Sequence, residues 1–196
     1  MSGDMMKSMP FLLKPKNLEG MIGGEAEFDP LGFAESFDPK WLREAELKHG
    51  RVSMLAVVGW LVQQAGIHLP SPDGLYDVAN PIDAFFHVGP AVWGQIFVGI
   101  GAMESINHAG KMSMNDMHAN SDREVGMFSA PIYGSAQLKG KSQKVIDDLK
   151  LKELKNGRLA MIAIGGLVHH TIISGSEVLG PFPNPAIWTM SAGTWN

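Results

Sequence analysis

Three stretches of the chain are almost continuously apolar: residues 52–67 (VSMLAVVGWLVQQAGI), 88–109 (VGPAVWGQIFVGIGAMESINHA) and 159–174 (LAMIAIGGLVHHTIIS). With a turn or two of charged helix in front, each reaches the ~20 residues that span a bilayer. The pattern predicts an all-α membrane protein with three transmembrane helices, at 41–69, 88–110 and 148–176. Pro70, Pro72, Pro81 and Pro90 bound the linker 70–87, and Pro181, Pro183 and Pro185 occupy the tail 177–196; prolines mark loops and helix ends. An N-terminal segment, 1–40, and a long loop, 111–147, complete the organisation. The competing reading of these stretches is a soluble bundle with three buried helices.

Charge separates the two readings. All sixteen Lys and Arg fall in two blocks, Lys7–Arg51 and Lys111–Arg158, and none lies between Val52 and Gly110 or after Arg158. Three crossings put both cationic blocks on one side of a membrane, the asymmetry that orients membrane proteins. Composition then removes several classes. The charged fraction of 18% and net charge of −4 argue against disorder and against a basic nucleic-acid binder. With no Cys, disulfide scaffolds, CxxC zinc sites and thiol nucleophiles are out.

The chain also repeats itself. Glu46–Gly59 (ELKHGRVSMLAVVG) and Glu153–Gly166 (ELKNGRLAMIAIGG) are offset by 107 residues and identical at eight of fourteen positions. One crossing lies between the copies, so both run in the same direction, related by a pseudo-twofold axis along the membrane normal. Each copy carries Glu and Arg five residues apart, roughly 140° around a helix, so neither pair closes within its own helix. Symmetry offers the alternative: Glu46 pairs with Arg158 and Glu153 with Arg51. Small residues (Gly50, Ala56, Gly59, Gly157, Ala160, Gly165, Gly166) are expected to face the contact and let the helices approach.

Three residues after each Glu stands a further donor, His49 in one copy and Asn156 in the other. Such groups suit a metal that accepts oxygen or nitrogen donors singly. No cluster offers the four ligands of a zinc cage. Single axial donors fit porphyrin-like metals, which bring four nitrogens of their own, and magnesium takes oxygen readily.

These residues resemble the light-harvesting chlorophyll-binding superfamily. Its ExxHxR motif stands here as Glu46-His49-Arg51, its ExxNxR motif as Glu153-Asn156-Arg158, and its FDPLGF segment as Phe28–Phe33. The likeness runs from about Pro10 to Ile173. The PFL segment (Pro10–Leu12) and the ELKHGR and ELKNGRLAM forms resemble the red-lineage antennae, the fucoxanthin chlorophyll a/c proteins and their photosystem I-associated relatives.

The resemblance implies that Glu46, His49, Glu153 and Asn156 each ligate a chlorophyll magnesium. It adds Gln95 and Glu104 in the middle helix, and His170 where the family often has a Gln. Glu104 reads in sequence as a carboxylate with no partner in an apolar stretch. His108, His68, His87 and His118 are further candidate ligands, and His169 is expected to be a polar contact. Asp29, Pro30, Leu31 and Gly32 are expected to help hold a carotenoid end group. A second DPLG motif is missing: Met127–Gly134 (MFSAPIYG) stands in its place.

The implied cofactors are chlorophyll a, chlorophyll c as accessory pigment, and xanthophyll-type, fucoxanthin-like carotenoids, with magnesium present only through chlorophyll. The implied partners are photosystem core subunits, photosystem I favoured by the long loop, neighbouring antenna proteins and thylakoid lipids. The implied location is a plastid thylakoid with the N-terminus stromal. No residue set supports catalysis, so the expected work is holding pigments at fixed distances and angles. Two other functions are weighed: a photoprotective quencher of the same fold, and a small proton-coupled transporter, which needs a continuous polar path.

Overall fold

The computed structural model describes residues 5–67, 77–108 and 140–174, together with Gly74, Val125, Gly126 and Leu138. Among these residues the regular structure is helical: α1 (Phe33–Ser36), α2 (Pro39–Gln64), α3 (Pro81–His87), α4 (Pro90–Asn107) and α5 (Gln143–Ser174), with a 3-10 turn at Lys16–Leu18. The chain forms two compact units, Met1–Val52 with Phe97–Leu159, and Ser53–Ile96 with Ala160–Asn196. The division falls inside α2, α4 and α5.

Local chemistry sets the helix ends. Pro39 and Pro90 open α2 and α4, where the missing N–H is no loss. Past Gln64, Gly66 takes φ +75°, its N–H bonds to Gln63 O, and the N–H of Ile67 reaches back to Val62 O. This is a Schellman stop, and it ends α2 five residues before the boundary expected from hydropathy. α5 starts at Gln143, before its apolar run. α3 lies within the segment read as a linker. Asn80 accepts from the N–H of Ile82 at 3.0 Å, with Pro81 as the first helical residue.

In the first unit, Asp29 organises the N-terminal segment. Its carboxylate accepts from the N–H groups of Phe33 and Ala34, both at 2.9 Å, which starts α1. Asn17 Nδ2 donates to Ala34 O at 2.9 Å. Buried Glu27 accepts from the N–H of Lys7 at 3.1 Å and pairs with Lys14 at 3.2 Å. In the second unit, Gln63 Nε2 donates to Val78 O at 2.8 Å, and Trp93 donates to Phe85 O at 3.1 Å with the two rings 4.4 Å apart.

One described helix, α5, is long and apolar enough to cross a membrane by itself; α3 and α4 make a second candidate only as one span bent by 101°. α2 does not qualify, which departs from the sequence expectation. Its first half carries charge as far as Arg51, and the Schellman stop leaves it short beyond that.

Candidate functional site

The two copies of the repeat meet in the first unit. A Cβ built on Gly50 would lie 3.0 Å from the Cα of Gly157, and one on Gly157 would lie 3.0 Å from the Cα of Gly50. The backbones therefore touch at repeat-equivalent positions, and only glycine admits that approach. Ala160 is also buried. The expectation for Gly59, Gly165 and Gly166 is corrected: a Cβ at any of them meets nothing within 4 Å. The close approach is at Gly50 and Gly157, and these three glycines serve no such contact.

Around this contact the acids and arginines come together. Arg51 Nε donates to Glu153 Oε1 at 2.6 Å, and Arg158 Nε donates to Glu46 Oε1 at 2.7 Å. The environments then diverge. Glu46 Oε2 also accepts from Arg43 at 3.0 Å, from a side chain only 13% exposed. Glu153 Oε2 accepts no hydrogen bond among the described residues. Arg158 also donates to Gly23 O at 3.1 Å and so ties down the N-terminal segment.

His49 and Asn156 are prepared in the same way. His49 Nδ1 bonds Ala45 O at 2.7 Å, and Asn156 Nδ2 donates to Lys152 O at 2.9 Å, each one turn back along its own helix. In His49 the Nδ1–H donates, so Nε2 is the ring nitrogen left to serve a metal. In Asn156 the bond leaves Oδ1. Both side chains are exposed. The donor set thus offers one nitrogen and two oxygens (Oδ1 of Asn156, Oε2 of Glu153), each presented singly. Among the described residues no three His, Asp or Glu converge as a metal cage. A magnesium tetrapyrrole, which would ask the protein for one donor atom, fits this chemistry; a metal needing several protein ligands does not.

Glu104 is corrected from the sequence reading, because it has partners. The Lys48 ammonium pairs with it, His108 Nε2 lies 3.1 Å from its Oε2, and Lys48 Nζ lies 2.5 Å from the same imidazole nitrogen. The His108 side chain is buried. Beside this triad lies a cavity of about 270 Å³ lined by Trp41, Glu44, Ala45, Lys48, His49, Glu104 and His108. Gln95, His169, His170 and His87 are exposed. All four belong to the second unit, whereas the donors above belong to the first. His68 and His118 lie outside the described residues, as does the MFSAPIYG segment from Met127 on. In FDPLGF the Asp29 carboxylate is occupied by its capping bonds, and the outward groups are apolar, Phe28, Leu31 and Phe33.

Sequence reasoning missed four features. Arg43, one turn before Glu46, was a legible i,i+3 partner. Lys48 had no local signal, since Glu104 is 56 residues away. Glu44 is buried and accepts from the N–H of Gly126 at 2.7 Å. Finally, the repeat extends to the loops: Gly23 packs on Leu154 and Gly126 on Leu47, and these leucines are themselves 107 apart.

Comparison with known proteins places this geometry. The profile of the family described as chlorophyll a-b binding protein matches residues 14–172, and the chain belongs to that family. Within the light-harvesting antenna superfamily it is of the red-lineage type. It is 37% identical over 178 residues to a chloroplastic fucoxanthin-chlorophyll a-c binding protein of Chattonella marina var. antiqua, covering 86% of this chain and 76% of the relative. It is 35% identical over 175 residues to light-harvesting complex stress-related protein 3.2 of Chlamydomonas reinhardtii, covering 83% and 66%. It is 29% identical over 195 residues to chlorophyll a-b binding protein 8 of Solanum lycopersicum, covering 85% and 69%.

Proposed function

We propose that this protein is a light-harvesting antenna of the plastid thylakoid that binds chlorophylls and carotenoids and passes excitation to a photosystem, photosystem I in particular. Chlorophyll a, an accessory chlorophyll c and fucoxanthin-like xanthophylls are the pigments this reading assigns. Bound pigment supplies the light absorption and the excited state; the polypeptide supplies positions. Glu153, Asn156 and His49 each present one outward donor atom, with Glu46, Glu104, Gln95 and His170 as further ligands. Arg51 and Arg158 neutralise the acids and fix where their oxygens point. α5, α4 and the apolar second half of α2 lie in the membrane, α2 and α5 related by a pseudo-twofold axis, with the cationic N-terminal side in the stroma. Phe28, Leu31 and Phe33 offer an apolar seat for a carotenoid ring beside Asp29–Gly32.

The observation that carries the reading is the preparation of His49 and Asn156. In each, one polar atom is bonded one turn back and the other, a metal-competent donor, faces outward. Refolding the chain with chlorophyll and carotenoid tests it. The expected product is coloured, shows induced visible circular dichroism, and loses about one chlorophyll in each of His49→Leu and Asn156→Leu. A colourless product, as a transporter would give, overturns it.

The 35% identity to a stress-related light-harvesting protein favours a second reading, photoprotective quenching on the same scaffold. Fluorescence lifetime of the pigmented protein separates the two. An antenna keeps a long lifetime when acidified, and a quencher shortens it.

A further inference from the structure

The two motif glutamates are related by the repeat but not by their surroundings. Glu153 accepts from one guanidinium and has Oε2 open among the described residues, whereas Glu46 is held by Arg158 on one oxygen and Arg43 on the other. Position 43 is the one place near the acid where the copies differ in kind of cation: 107 residues on stands Lys150. A guanidinium presents a planar fork to a carboxylate, and a lysine is a point charge. Hydrogen bonds to both oxygens draw charge away from the lone pair that a metal would use.

We propose that Arg43 sets the two glutamates apart as metal donors, making Glu46 the weaker ligand and Glu153 the stronger. This rests on the pigment-binding reading above. A tetrapyrrole held by Glu46 is then released first, and it absorbs at a different wavelength from one held by Glu153. The antenna has one exchangeable or tunable position built into an otherwise duplicated frame. Arg43 is here a positioning residue, since it acts through the Glu46 carboxylate and touches no pigment.

The test uses the full chain refolded with chlorophyll a and carotenoid in detergent. Chlorophyll release after dilution is followed by visible circular dichroism, and absorption is recorded at low temperature. Wild type is expected to lose one chlorophyll in an early phase. In Arg43→Gln that phase slows about fivefold, the equivalent of the ~1 kcal/mol that a part-exposed charge pair contributes, and one absorption band moves. Arg43→Lys, which keeps the charge but not the fork, gives an intermediate rate. An early phase and absorption unchanged in both variants would overturn the proposal, as would faster loss of all chlorophylls together, the mark of a merely structural arginine. Wild type that binds no chlorophyll would instead fail the pigment reading itself.

Discussion

Replacing Gly50 by alanine probes the helix contact directly. The new methyl would lie 3.0 Å from the Gly157 Cα, 3.5 Å from its carbonyl carbon and 3.8 Å from its oxygen. Carbon atoms rest comfortably at ~3.5–4.0 Å, so the helices must part by roughly 0.5–1 Å, and backbone rather than a flexible side chain has to yield. Overpacking of this kind costs about 1–3 kcal/mol. Alanine recovers about 1 kcal/mol through helix propensity. The net loss is then about 1 kcal/mol, and the parting also stretches the 2.6 and 2.7 Å Glu–Arg bonds on either side. Thermal loss of visible circular dichroism in the refolded, pigmented protein measures it. Gly157→Ala should match Gly50→Ala, and the double variant should lose more than the sum, because the two methyls then face each other. Gly59→Ala is the comparison: its Cβ meets nothing within 4 Å, so the same change should be neutral or mildly stabilising. If Gly50→Ala and Gly59→Ala melt alike, close backbone contact is not what joins these helices.

Three further outcomes are expected. Asp29→Ala removes the acceptor for two backbone N–H groups and should lower stability by about 1–2 kcal/mol, Asp29→Asn by less; thermal melts rank them. Burial pushes the Glu27 carboxyl up, but bonds from Lys14 and the Lys7 N–H, with both ammoniums, outweigh it and hold the group below the usual glutamate range. Its contribution is therefore fully present above the ordinary glutamate pKa and fades as pH falls through the lowered one. Protease nicking within residues 5–15 should rise only below about pH 4.5, and Lys14→Met should move that onset upward. Arg158→Leu frees Gly23 O but leaves Glu46 with Arg43, whereas Arg51→Leu strips Glu153 of the one guanidinium bonded to it among the described residues. The first should expose the N-terminal segment to protease; the second should cost more chlorophyll, read by pigment extraction against protein. Equal patterns in the two variants would count against the assigned division of labour.

What was legible in the sequence was whatever the duplication doubled. Glu46 and Arg158, or Glu153 and Arg51, are more than a hundred residues apart, yet two copies of one five-residue spacing point to exchange between helices. The helix starts at Pro81 and Pro90 were legible too, because proline marks loops and helix ends. The remainder depended on contacts with no local trace. Glu104 reads as a solitary acid because Lys48, 56 residues away, reaches it only through folding, although His108 one turn on was within local reach. Glu44 sits in a run of charges that looks solvated, yet it is buried and accepts from the N–H of Gly126, 82 residues away. Hydropathy overestimated α2, because it registers apolar side chains and not the backbone bonds by which Gly66 stops the helix.

The described residues include few buried apolar side chains, Met6, Ala34, Trp60, Leu154 and Ala160, and no large one that is fully enclosed, while Leu55, Val58, Ile162 and Ile173 stand in the open. Among the described residues, the polypeptide encloses little apolar surface of its own. Whatever occupies its grooves completes the interior, and the free energy of loading becomes the free energy of folding. An empty chain is then expected to be the less stable one, and loading to raise its melting temperature in step with the free pigment supplied.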